Sequence, residues 1–400
     1  FVGAFAVQTY NNLPETFFVN ANTPLEFENM NYLTVFENKK DVKIANSGEN
    51  NSYNANIMLF NIIPLKTVRV VATDEKIVNV CGTPFGIKMF SDGVMVVGFS
   101  DIYTNTGYHN PAKTAGLALG DTIHTMNGVL MRTNEDVQKC VREAEGSPIY
   151  MEFTHKGERK TATITASKQA GSDELGYRLG MWVRDSSAGI GTLTMADYQK
   201  GVFAGLGHSI SDIDTGETIE LLSGEIVTVR VSGFTKSTAG SPGEMRGIFE
   251  SETNGKIALN NENGVYGTLT GNGKSKFIGT QMPIAKMQEI KVGDAEIITT
   301  LDGETPQKYS VQIEKINFAT DNPNKNMVIK ITDNRLLSQT GGIIQGMSGS
   351  PIVQNGKLVG AVTHVLVSDP ERGFAIFAEN MYDTMSNIVK NNDKLQQNVA

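Results

Sequence analysis

The stretch "IIQGMSGSPIVQNGKLVGAVTH", beginning at Ile343, sets two serines among glycines between two apolar, strand-like runs. A smooth hairpin needs no such bend, so the bend calls for a chemical reason. Acyl transfer by a serine needs a hydroxyl with a base beside it and two backbone N–H donors aimed where an oxyanion forms. Gly346-Met347-Ser348-Gly349-Ser350-Pro351 supplies the second requirement. Gly346 can take a backbone geometry closed to residues with a Cβ, which turns its N–H inward beside that of Ser348. Pro351 then opens the next strand with no donor wasted, and Asn355-Gly356 is the turn of a β-hairpin. Ser348 is therefore the candidate nucleophile and the N–H groups of Gly346 and Ser348 the candidate oxyanion donors. Ser350 is a rival, but only Ser348 has a glycine two residues upstream.

Composition limits what this motif can belong to. With 400 residues and 40% hydrophobic content, the chain can bury two or three ordinary cores, so it is globular and multidomain. A net charge of −8, with Lys and Arg scattered, offers no footprint for a phosphate backbone and excludes nucleic acid as a partner. The opening "FVGAFAV" is far too short to span a bilayer, which leaves membrane attachment open. Cys81 and Cys140 fit no metal spacing and read as inert packing residues; neither a metal nor a cofactor is expected.

Short β-like runs separated by Gly, Asn, Asp and Ser dominate, so the fold class is mainly β. Residues 1 to about 30 read as a poorly ordered lead-in, followed by a small β unit ending near Asp74. The character changes at Cys81, and "KQAGSDELG" reads as a linker. The expected domains are 1–80, 81–168 and 169–400.

In the middle block, "TPFGIKM", "GVMVVGFS", "NPAKTAGLALGDTIHTMNGVLM" and "TNEDVQKCVREAEG" follow the order strand, strand, short helix, strand pair, amphipathic helix. The order resembles a PDZ domain of the kind attached to bacterial proteases. On that resemblance Phe85, Gly86 and Ile87 form the loop that cradles a peptide carboxylate, the next strand edge takes a peptide or C-terminal ligand as an added strand, and the helix from Asn134 to Ala144 forms the other wall. Gly116 and Gly120 provide tight turns, and Asn127-Gly128 is a hairpin signal.

The base is sought among five histidines, of which His208 and His364 stand in catalytic contexts. "GVFAGLGHSISDIDTGE" delivers His208 from a Gly-flanked apolar run into an acidic turn, a setting both oriented and open to substrate. His364 is the weaker candidate, since it lies on the strand beside the nucleophile, where a cleft wall is expected. Nucleophile hairpin and following strand together have the arrangement of chymotrypsin-like proteases. Thr363, His364 and Val365 would then line the substrate cleft and Gly342 would stand at the pocket base. With no carboxylate at Gly342, a small or medium apolar P1 residue is expected rather than Arg or Lys.

Together "GLGHSISD", "ITDNRLLSQTGGIIQGMSGSPIVQNGKLVGAVTHVLVSDPERGF" and the PDZ block resemble the stage IV sporulation protein B family of serine peptidases, over roughly residues 60 to 385. The resemblance implies a PDZ domain joined to a chymotrypsin-like double β-barrel, with a small N-terminal β unit. It implies a secreted or membrane-anchored endopeptidase in the space between the mother-cell and forespore membranes. Such an enzyme cleaves itself and then a membrane-anchored regulator of an intramembrane protease, leading to late sigma-factor processing. The family triad falls on His208, Asp333 in "KITDNRLL" and Ser348. Asp333 stands unusually close to Ser348 for this fold, and Asp212 and Asp214 are alternatives on spacing to His208. A catalytically silent PDZ-containing scaffold is the competing expectation.

Overall fold

In a computed structural model, the described residues are 2–397 apart from 22, 28–29, 38–51, 172–175, 319 and 321. Part of the small β unit and the centre of the expected linker thus lie outside the described residues. The protein is mainly β. Strands β1 (Ile77–Phe99), β2 (Met181–Asp197), β3 (Val202–Gly205), β4 (Leu221–Phe234), β5 (Met245–Asn261) and β6 (Gly264–Leu269) stand in the order β1-β2-β3-β6-β5-β4, and β4 returns to pair with β1. A second closed barrel is built from β7 (Gly293–Thr299), β8 (Gln307–Ile316), β9 (Met327–Ile331), β10 (Pro351–Gln354), β11 (Lys357–Leu366) and β12 (Asp369–Phe377). Its order is β7-β8-β9-β12-β11-β10. The same topology appears twice, as in the chymotrypsin-like double barrel.

Closure leaves no sheet edge and makes the barrel strands unusually apolar. Along β1 every residue from Val80 to Ile87 is buried. One face fills the first barrel with Phe85 and Ile87, beside Leu193, Phe203 and Ile226. The other meets the second barrel, where a Cβ on Gly82 would stand 2.6 Å from the Ile298 side chain.

This placement corrects the expected peptide-binding loop of the PDZ unit. Phe85, Gly86 and Ile87 pair with Gly191, Ile190 and Gly189 of β2 on one side and with Thr228, Val227 and Ile226 of β4 on the other. Both backbone edges are taken, and no peptide strand can be added there. The domain boundaries shift for the same reason. β1 runs through the first barrel to about Ser91 and continues from Val94 into the PDZ sheet, while β2 returns through Met181–Arg184 and re-enters the barrel from Ser186. The PDZ unit is an insertion between the first two strands of the peptidase barrel. At the crossing, the buried Ser91 Oγ lies 2.5 Å from the Gly93 carbonyl and 3.2 Å from that of Asp185.

Inside the insertion, strands 94–95, Thr122–Met126, Pro148–His155 and Glu158–Thr165 continue the sheet from β2. Helix α1 (Asn134–Ala144) starts at a Thr133–Asp136 capping box and buries Val137 and Val141 on the face that its spacing predicts. The Asn134 N–H donates to Asp185 Oδ2 at 2.9 Å, tying the helix to β2.

The N-terminal residues are not an unordered lead-in. Val2–Asn12 is helical, and Thr16–Asn20 joins a sheet of order Thr16–Asn20, Ile63–Thr73, Ser52–Leu59, Leu33–Glu37 around Phe17, Val19, Ile57, Leu59 and Val70. Gln288 Nε2 donates to the Phe18 carbonyl at 2.6 Å and Lys286 Nζ to Thr73 Oγ1 at 2.9 Å, which dock this sheet on the segment leading to β7. Cys81 is buried, and burial pushes its thiol up to about 12; Cys140 is half-buried, and both are free thiols. Among the described residues no helix is long and apolar enough to cross a membrane.

Candidate active site

The two barrels meet where β3 of the first ends and β10 of the second begins. After Gly205, both Leu206 (φ 66°) and Gly207 (φ 71°) adopt the left-handed region. For leucine this is costly and is held by its surroundings. The double turn throws His208 across to the second barrel: a Cβ on Gly207 would lie 2.9 Å from both the Thr363 and Ile376 Cγ2 atoms. The half-buried His208 ring stands 4.6 Å from that of His364, centroid to centroid. Its Nδ1 is 2.7 Å from the Ser209 carbonyl. A carbonyl only accepts, so Nδ1 carries the proton and Nε2 is left as the basic nitrogen. Burial lowers the His208 pKa, and the Ser209 bond partly opposes that.

Ser348 sits on the expected turn, with Gly346 at φ 101° and Gly349 at φ 92°. It is half-buried, whereas Ser350 is wholly buried and its Oγ has no hydrogen-bond partner among the described residues. Reach of substrate thus separates the two serines. Ser348 Oγ donates to the Thr363 carbonyl at 2.7 Å, and the next residue, His364, packs beside His208, so the four residues form one cluster. Met347, Gly349 and Ser350 have backbone acceptors, whereas among the described residues the N–H groups of Gly346 and Ser348 have none. Two free donors on one glycine-bent turn are what an oxyanion site requires.

The turn is held from the other barrel by residues that sequence reasoning missed. Thr192 N donates to the Ser348 carbonyl at 2.9 Å, Thr192 Oγ1 to that of Gly346 at 2.8 Å, and Thr194 Oγ1 to that of Gly349 at 2.7 Å. The available signal was a pair of threonines two apart in the apolar run "GIGTLTMA", which puts both hydroxyls on one strand face.

Asp333 is not brought to His208. It caps helix α2 (Asn334–Thr340), accepting from the N–H groups of Arg335 and Leu336, from the Arg335 guanidinium and from Ser310 N. It follows β9, whose other end adjoins Asn324, the carbonyl partner of Thr363 Oγ1. The length of β9 therefore separates it from the cluster, and the Nδ1 position it was expected to fill belongs to Ser209. Asp212 and Asp214 do not reach the imidazole either: both bind Arg184. Among the residues expected to line the cleft, His364 packs against His208 with its ring tilted by 36°, and Val365 packs partly against the second core. His364 is exposed at its surface, yet packing of its ring and the nearby His208 and Lys325 charges lower its pKa. Gly342 is buried, and a Cβ there would meet the Pro370 carbonyl at 2.2 Å.

Asp333→Ala is expected to cost about 1 kcal/mol through loss of the cap and to leave catalysis within a few-fold. The Arg335 guanidinium and the helix N–H groups hold the Asp333 carboxyl well below the usual range. Its stabilisation is therefore complete above the unfolded value near pH 4 and is lost as pH falls toward the folded one. Thermal melts of wild type and variant should differ at pH 7 and converge at strongly acid pH. A loss of activity of about 10⁴-fold in folded protein would restore Asp333 to the triad.

The family described as SpoIVB peptidase S55 matches residues 175–382, more than half of the chain. This chain belongs to the SpoIVB peptidase S55 family. It is a serine peptidase of SpoIVB type, and the matched span holds His208, Ser348 and all of the double barrel except β1. No curated protein matches the chain. Among solved structures it is similar to the PDZ domain of the SdrC-like protein from Listeria monocytogenes, at 18% identity and a TM-score of 0.18 over 23% of this chain and 87% of that one. Among the described residues of the peptidase, no cluster of His, Cys, Asp and Glu is arranged to hold a metal.

Proposed function

We propose that this peptidase is an endopeptidase in which Ser348 is the nucleophile, His208 the general base and the N–H groups of Gly346 and Ser348 the oxyanion donors. The observation that carries the reading is that His208, delivered by the first barrel, packs beside His364, while Ser348, delivered by the second, is bonded to the adjoining Thr363. Ser348 Oγ attacks the scissile carbonyl carbon as His208 Nε2 takes its proton. The carbonyl π-pair moves onto oxygen, and the two N–H groups donate hydrogen bonds to the oxyanion so formed. Collapse expels the amine, which takes the proton from Nε2, and water then cleaves the acyl-enzyme by the same route. At rest the Ser348 hydroxyl is bonded to the Thr363 carbonyl, so substrate binding must release it.

The SpoIVB kinship supports a setting in spore development: secretion or anchoring between the mother-cell and forespore membranes, self-cleavage, then cleavage of a membrane-anchored regulator of an intramembrane protease with late sigma-factor processing downstream. The PDZ insertion would recruit a peptide segment of such partners. N-terminal mass spectrometry after incubation tests self-cleavage directly. New termini are expected from the wild type and none from Ser348→Ala; identical termini in both would refute it.

A pH–rate profile tests the base. Since burial lowers the His208 pKa, neutral imidazole persists to lower pH, and the acid limb of kcat/KM is expected below the ordinary histidine value of about 6.5. A limb above 7 would mean that the imidazole senses a carboxylate, contrary to the Ser209 bond.

A further inference from the structure

His208 is oriented by the main chain: its Nδ1–H is directed at the Ser209 carbonyl rather than at a carboxylate. A carbonyl does this work only as well as its own peptide is held. Ser209 opens a hairpin-like loop that returns at Ile219. Ser211 pairs with Thr218, the Asp212 N–H donates to the Glu217 carbonyl at 2.9 Å, and the Ile219 N–H donates to that of Ile210 at 3.1 Å. At its base, Asn260 accepts from the Ile210 N–H at 2.8 Å and donates to the Ile210 and Ile219 carbonyls at 3.0 and 3.1 Å.

At its tip the loop is held by Arg184. One guanidinium nitrogen binds Asp212, and the other binds Asp214 Oδ2 at 2.6 Å. Asp212 is 3% exposed, and its second oxygen accepts the N–H groups of Asp214 and Thr215 at 3.0 and 3.1 Å. A buried carboxylate in such a position is strongly dependent on its cation. Arg184 itself stands opposite Met95 at the end of the PDZ stretch of β2, next to Asp185, which anchors helix α1. A fork of this geometry is something lysine cannot reproduce in full.

We propose that Arg184 is a positioning residue for catalysis. By gripping Asp212 and Asp214 it fixes the loop that presents the Ser209 carbonyl to His208, and so makes the orientation and tautomer of the base depend on the seating of the PDZ unit. This rests on His208 being the base of the peptidase. The chain of contacts runs from the PDZ stretch of β2, which carries Arg184, through the ion pairs to Asp212 and Asp214 and the hydrogen bonds of the 209–219 loop to Nδ1.

The test is Arg184→Met beside Arg184→Lys in the full chain. For Arg184→Met, kcat is expected to fall about 10- to 100-fold, the scale of a small misplacement in an active site, with KM little changed; Arg184→Lys should recover part of the loss. Nitrogen-15 NMR of the His208 ring, recorded in a Ser348→Ala background, should show a single Nδ1–H tautomer with Arg184 and a mixture with Met. A kcat within twofold of wild type and an unchanged tautomer would overturn the proposal, whatever happens to Tm. Should Arg184→Met fail to fold, Asp214→Asn removes the more exposed arm of the fork, and the same pair of unchanged readouts would overturn it there. Hydrolysis surviving in Ser348→Ala would instead refute the peptidase assignment of that serine, while the tautomer result would stand on its own.

Discussion

Ser348→Ala is expected to abolish peptide hydrolysis, by about 10⁴-fold or more, and to abolish labelling by a fluorophosphonate, whereas Ser350→Ala should keep both. The reason is access rather than motif. The two serines share one glycine-rich turn, but Ser348 is half-open and bonded to the strand beside the base, while Ser350 lies at 0% exposure inside the protein. The Ser350 Oγ has no hydrogen-bond partner among the described residues, so replacing the hydroxyl with a hydrogen removes no bond. Labelling that survives in Ser348→Ala and vanishes in Ser350→Ala would invert the assignment. No labelling of folded wild type would favour a silent scaffold over an enzyme.

Gly349→Ala is expected to be nearly as damaging, and by a different route. Gly349 holds φ at 92°, and an added Cβ would lie 2.0 Å from the Thr192 carbonyl oxygen and 2.5 Å from Leu206 N. Both are main-chain atoms of the first barrel, one on β2 and one leading to His208, and neither can swing aside. The Ser348 turn would have to leave its dock, losing the Thr192 and Thr194 bonds together. A stability loss of about 3 kcal/mol or more is expected, at the severe end for one substitution, with activity near background. Gly356 is the control: its φ is also positive, at 77°, but a Cβ there meets open space. Gly356→Ala should cost about 1 kcal/mol from backbone conformation alone and leave activity intact. Thermal melts and peptide hydrolysis of the two variants side by side decide the matter, and equal behaviour would mean that the turn is not docked as described.

Fold class and the glycine-bent serine turn were readable because each depends on a few adjacent residues. Asn127-Gly128 and Asn355-Gly356 are turns with positive φ at both positions, and only such residue types accept that conformation cheaply. The bend at Gly346 to Gly349 and the helix from Asn134 to Ala144 follow from local chemistry in the same way. "PFGI" misled because an apolar strand looks alike in either neighbourhood. Its partners on β2 and β4 are far along the chain, so whether its edges are open is not a local property. Asp333 misled for a similar reason: beside a helix start, an aspartate is as good a cap as a catalytic acid.

Residue identity by itself determined where the chain bends, which serine carries a glycine two positions before it and which runs are strands, since backbone sterics and side-chain alternation act over a few residues. Only the folded molecule decided that the PDZ unit interrupts the first barrel, that Thr192 and Thr194 hold carbonyls 154 and 155 residues away, and that a backbone carbonyl faces the imidazole. Those outcomes depend on closing two barrels and pressing them together, and distant hydrogen bonds are set by that closure rather than by any local preference.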